Sequence, residues 1–142
     1  MKRLKVPYLA GLDSLDLSSI GFFMESKAYR DYINEINWKE YGYKPIAVFD
    51  IARSDKYMYI RYFVKGHSLK ASFDVDNSNV HRDSCVEFFM KRVNDSTYMN
   101  FEFNCIGTCD AARRLSRTEK SSLTPQEYES IKRYTTLERR PF

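Results

Sequence analysis

The chain is poor in the residues that mark most specialised classes, with 3 Cys, 2 His and 1 Trp among 142 residues and only 5 Gly and 4 Pro. Three cysteines are an odd number, and no CxxC pair or Cys/His cluster at zinc spacing accompanies them, which excludes a disulfide framework and a zinc finger. So little Gly and Pro excludes collagen-like and low-complexity chains. No apolar run approaches the ~20 residues of a membrane helix, and residues 1–11 (MKRLKVPYLAG) lack the continuous apolar stretch of a secretory signal. No membrane partner and a cytoplasmic setting with reduced, structural thiols are the expectation. No Gly-rich phosphate loop, HExxH, GxSxG or Walker pattern is present.

What the chain has in quantity is aromatic surface: 11 Tyr and 10 Phe bring the aromatic share to 15%. Tyr and Phe favour pleated, half-buried positions, so the composition leans toward β-structure. Apolar residues at 43% and charged residues at 30% describe a globular chain. At this length, folding buries roughly 68–70% of the extended surface, enough for a core without staples. The net charge of +4 is uneven. Residues 113–142 hold eight of the 23 basic and four of the 19 acidic side chains, leaving 15 of each in the rest. The body is therefore neutral, the excess reads as a solvated basic tail, and no nucleic-acid partner is expected.

Residues 2–9 (KRLKVPYL) suit a first edge strand, where Pro7 costs one ladder donor. Residues 12–24 are ambiguous. Tyr29, Tyr32, Ile33 and Ile36 recur at spacings of three and four and predict a helix over 26–36, broken at Gly42–Pro45. Strands are expected at 46–51, 57–64 (buried on both faces), 69–75, 85–91 and 98–105, at roughly 10–14-residue spacing. That rhythm fits antiparallel sheets better than βαβ units. Leu123-Thr124-Pro125-Gln126-Glu127-Tyr128 is a helix start with cap, N1 proline, capping box and hydrophobic staple, so a short helix near 125–134 should follow. The whole reads as one domain, a strand-rich body over 1–112 and a tail over 113–142.

Residues 98–105 carry the strongest pattern. Met99, Phe101, Phe103 and Cys105 alternate with Tyr98, Asn100, Glu102 and Asn104. The second face is a row of amides and a carboxylate beside an aromatic ring, groups that suit sugar hydroxyls as well as they suit solvent. A tight hairpin at Asn94-Asp95 would pair residues whose numbers sum to 189, setting Glu87 opposite Glu102 and Phe89 opposite Asn100. Facing carboxylates repel, so they call for a ligand, a cation, or a basic neighbour such as Arg61. Asp74 and Asp76 begin like a calcium loop, but Asn79 and Cys85 stand where an EF-hand needs Gly and Glu, leaving only a looser calcium site open. His67 and His81 read as polar loop residues.

The stretches Asp83-Ser84-Cys85-Val86-Glu87-Phe88-Phe89 and Asn100–Thr108 (NFEFNCIGT) resemble the core motif of bacterial proteins similar to family 9 carbohydrate-binding modules. Ile36-Asn37-Trp38 with Pro45, residues 49–55 (FDIARSD), and the terminal Arg139-Arg140-Pro141-Phe142 fit the same pattern. The resemblance implies a mainly β, antiparallel β-sandwich (immunoglobulin-like or jelly-roll-like) with a short N-terminal helical segment and a C-terminal capped helix. It implies a non-catalytic module binding a glycan or sugar ligand, associated with glycan catabolism and needing no cofactor. Trp38, Arg61, Glu87, Tyr98, Asn100, Glu102 and Asn104 are the expected binding residues, with Trp38 either stacked on sugar or packed in a core. Family members continue beyond the point matching Phe142, so an incomplete sandwich that self-associates through an uncovered sheet edge is expected. Two other readings stand beside it: a sandwich-fold glycoside hydrolase using Glu87 and Glu102, and a haem-binding (DOMON-like) sandwich with His67 or His81 and Met58 or Met90 as axial ligands.

Overall fold

A computed structural model describes residues 3–142, which divide into two compact units, one ending at His67 and one spanning Ser68–Phe142. The chain is mainly β, with two antiparallel sheets and two short α-helices, the composition of the β-sandwich class.

In the first unit, α1 spans Leu17–Lys27, β1 Tyr29–Tyr32, β2 Ile46–Arg53 and β3 Met58–Lys65, in sheet order β1-β2-β3. The helix lies earlier than the Tyr/Ile spacing predicts. Asp16 caps it, its carboxylate accepting from the Ser19 N–H at 2.9 Å, and Ser18 and Ser19 crowd the same first turn. Met24 is buried with Leu12 and Ala52. The Tyr and Arg residues after it are strand, because Arg30 reaches across to Asp50 and Tyr29 pairs with Ile51. The two tyrosines, three apart, fall on opposite faces of the strand, Tyr29 half-buried and Tyr32 exposed, where a helix would have put them on one face. The expected first strand shrinks to a bridge from Tyr8 to Arg53, and its first residue, Lys2, lies outside the described residues. β3 is not buried on both faces: it is an edge strand, with Met58, Phe63 and Val64 all exposed.

In the second unit, β4 spans Cys85–Met90, β5 Tyr98–Asn104, β6 Cys109–Arg114, β7 Lys120–Ser122 and α2 Pro125–Ser130, in sheet order β4-β5-β6-β7. No strand forms over 69–75. The Asp83 carboxylate takes the N–H groups of Ser72 and Phe73 at 2.9 and 3.1 Å, so a side chain occupies donors that a ladder would use. The segment expected as a tail is built in: β6 crosses residue 112, and Arg133 holds Asp76 through two bonds of 2.7 Å. The helix signature works as read, with Thr124 and Glu127 closing the capping box, although the helix ends at Ser130. Leu123 and Tyr128 share one core cluster with Cys109 and Ala111, against which Met99, Phe101 and Phe103 pack. Gly107, at φ +85°, makes the turn between β5 and β6, a conformation costly for any residue with a Cβ.

Candidate functional site

The β4–β5 register sets Glu87 opposite Glu102, Phe89 opposite Asn100 and Cys85 opposite Asn104, the pairing that sums to 189. The connection is longer than two residues. Pairing stops at Met90 and Met99, and the turn runs from Arg92 to Asp95. β6 adds a third carboxylate, Asp110 opposite Glu102, so Glu87, Glu102 and Asp110 form one row across three strands. Asp110 escaped the sequence reading because the 109–114 strand did. Its signal was there, in the alternation of Cys109 and Ala111 with Asp110 and Ala112.

The polar face of β5 is not a solvent face. Asn100, Glu102 and Asn104 are 3%, 8% and 4% exposed, because the 71–84 segment folds over this side of the sheet while α2 covers the other. Asn104 fastens that cover: its amide donates to the Phe73 carbonyl at 2.7 Å and to Asp83 at 3.0 Å, and its oxygen accepts from the Thr108 N–H at 2.9 Å. Every hydrogen-bonding role of the Asn104 amide serves the fold.

Asn100 and Glu102 differ. The Asn100 oxygen accepts from Arg114 Nε at 3.1 Å, but among the described residues its Nδ2 has no hydrogen-bond partner. Glu102 Oε2 has none either, and the His81 ring nitrogen Nδ1 lies 4.0 Å from it. Burial, and then the charges of Glu87 and Asp110, push the Glu102 carboxyl above its ordinary value, against the pull of His81 and Arg114. Burial followed by the same Glu87 and Glu102 charges lifts the Cys85 thiol to about 11. Beside this donor and acceptor lie two aromatic rings, Phe89 and Tyr98, with centroids 6.1 Å apart. Phe89 is well exposed, and Tyr98 is half-buried with its hydroxyl 3.4 Å from the Ser116 carbonyl. A donor, an acceptor and an apolar platform on one sheet face are the elements of hydroxyl recognition. Phe89 and His81 were not among the expected residues, although the register arithmetic already set Phe89 against Asn100.

The model of carbohydrate-binding family 9 matches residues 19–142. The chain belongs to carbohydrate-binding family 9. A crystal structure of a candidate carbohydrate-binding protein from Bacteroides uniformis is similar at 28% identity and a TM-score of 0.89. The match covers 98% of this chain and 64% of that one, so the chain spans less than two thirds of its neighbour. No curated protein matches.

The remaining expected residues of this family 9 chain lie in its first unit. Trp38 sits in the 33–45 loop with 65% of its surface exposed, so its ring is no part of a core. Arg61 is engaged locally, with Nη1 3.2 Å from the Gly21 carbonyl and 3.5 Å from both Glu25 and Asp50. The basic side chains beside Glu102 within its own unit are His81 and Arg114 instead. The looser calcium site finds no support, because Asp76 gives both oxygens to Arg133 and the described residues hold no group of three acidic, Cys or His side chains placed for a metal. The family lends no support to the haem reading. No helix among the described residues is long and apolar enough to cross a membrane.

Proposed function

We propose that the chain is a non-catalytic carbohydrate-binding module whose sugar seats on the polar face of β5. Asn100 Nδ2 is the donor, Glu102 Oε2 the acceptor, Glu87 a neighbouring acceptor, and Phe89 with Tyr98 the stacking platform. The observation that carries this reading is the pair of buried, unpartnered polar atoms on one strand face. Leaving such a group unpaired costs ~1–3 kcal/mol, a penalty that a ligand hydroxyl relieves. Residues two apart on a strand lie ~7 Å apart, the reach of hydroxyls on opposite edges of one pyranose ring. The side chains of His81 and Phe89, beside these atoms, are exposed. Trp38, exposed on the first unit, offers a further stacking face. A binding role beside glycan-degrading enzymes, in glycan catabolism, is the setting such a module suits.

One observation favours hydrolysis as a second reading: Glu102 has the raised carboxyl an acid catalyst needs, beside a second carboxylate. A glycan array, followed by affinity and reducing-sugar assays on the parent, Asn100→Ala and Glu102→Gln, separates the two. Binding that falls at least about tenfold in both variants, with no sugar released by the parent, supports the module. Release abolished by Glu102→Gln identifies an enzyme, and binding untouched by either change refutes the site.

A further inference from the structure

The first unit carries a cleft built from a different set of residues. Register sets Arg30, Asp50 and Arg61 in one row across β1, β2 and β3, and Tyr32, Val48 and Phe63 in the next. Arg30 clasps Asp50 with Nε at 2.6 Å and Nη2 at 2.9 Å, while Arg61 approaches the same carboxylate at 3.5 Å. Asp50 is 3% exposed, so this row is a fixed floor rather than a mobile surface pair. Tyr32 and Phe63 each keep 60% of their surface open and stand on the two strands flanking Val48. Their backbones are therefore ~10 Å apart, room for one ring between two aromatic walls. The cavity they enclose measures about 150 Å³, small against the ~300–1,000 Å³ of drug-sized ligands.

The charges decide what kind of ring fits. Arg30 and Arg61 are balanced by Asp50 and by Glu25 at the rim, so the lining carries no net charge and an anion gains little by entering. What the cleft offers is paired hydrogen bonding: guanidinium N–H groups beyond those spent on Asp50 and Gly21 as donors, and Glu25, half-exposed, as acceptor. Donor and acceptor side by side, between apolar walls, match vicinal hydroxyls on a ring with two apolar faces. We propose that this cleft is a second sugar subsite, taking one neutral pyranose ring between Tyr32 and Phe63 with its vicinal hydroxyls on Arg30, Arg61 and Glu25. The inference rests on the family's carbohydrate binding and not on the β5 face.

The test is an amide NMR titration of the full chain with the methyl glycosides of glucose, galactose, mannose and xylose. Saturable shifts over β1–β3, weakened at least about tenfold by Tyr32→Ala with Phe63→Ala, are expected for at least one of them. Both side chains are exposed, so the variant should keep the parent's melting temperature. Shifts confined to β4–β6, no shifts anywhere, or first-unit shifts that survive the double substitution would overturn the subsite. First-unit shifts with none over β4–β6 would uphold it while removing the β5 site, so the two proposals fail separately.

Discussion

Asp83 and Glu102 are two carboxylates of the second unit whose environments push them in opposite directions, so acidification should separate them. At Asp83 burial raises the carboxyl, but the Ser72 and Phe73 N–H groups and the Asn104 amide outweigh it and hold it below its ordinary 3.8. A lowered value means stability that is present above 3.8 and lost as pH falls through the folded value. Asp83→Asn should therefore cost about 1–3 kcal/mol at pH 7, with the gap to the parent narrowing in acid; denaturant melts at pH 7 and pH 3 measure it. Glu102 has the reverse sign. Its raised carboxyl makes the parent relatively more stable below 4.5, a contribution lost as pH rises through the folded value. Glu102→Gln should match or exceed the parent's melting temperature at pH 7, and that advantage should vanish at pH 4. A variant less stable at pH 7 would show that the carboxylate is satisfied in the free protein.

Among the elements, α2 rests on its first turn. Thr124 and Glu127 exchange hydrogen bonds, Arg113 holds the Glu127 carboxylate, and those contacts draw Glu127 down to about 2. Tyr128 bonds the Ala111 backbone at both N–H and carbonyl, tying helix to sheet. Thr124→Ala should cost about 1 kcal/mol and Tyr128→Phe about 1–2 kcal/mol in chemical unfolding, since the tyrosine change leaves the buried Ala111 N–H without its partner while the Leu123 N–H still holds the Ala111 carbonyl. This helix start was legible because capping chemistry is local: every partner lies within five residues. The β4–β5 register was legible for a related reason: alternation fixed which residues share a face, and the turn expected at Asn94-Asp95 lies at the centre of the longer connection, so the sum of 189 is kept. β6 and α1 were not. The apolar face of β6 is one cysteine and one alanine, and α1 depends on Asp16 and a buried Met24 rather than on a continuous stripe. The β5 polar face was read correctly as a face but not as a buried one, because its cover is a loop fastened by Asp83 and Asn104, contacts far apart in sequence.

At the level of the molecule, the expected self-association through an uncovered sheet edge is a prediction that the edge of the first sheet makes specific. β3 is an eight-residue edge strand with Met58, Phe63 and Val64 exposed, a surface on which a second chain can pair. Light scattering should find oligomers, reduced in a Met58→Lys, Val64→Lys variant; a monomer at high concentration would remove the edge as an interface. The seat proposed for sugar on the polar face of β5 is decided by a crystal structure with the best glycan from the array. The expected result is a pyranose against Phe89 and Tyr98, with hydroxyl oxygens within hydrogen-bonding distance of Asn100 Nδ2 and Glu102 Oε2. A bound sugar that leaves both of those atoms unpartnered, or one found only elsewhere on the molecule, would contradict it.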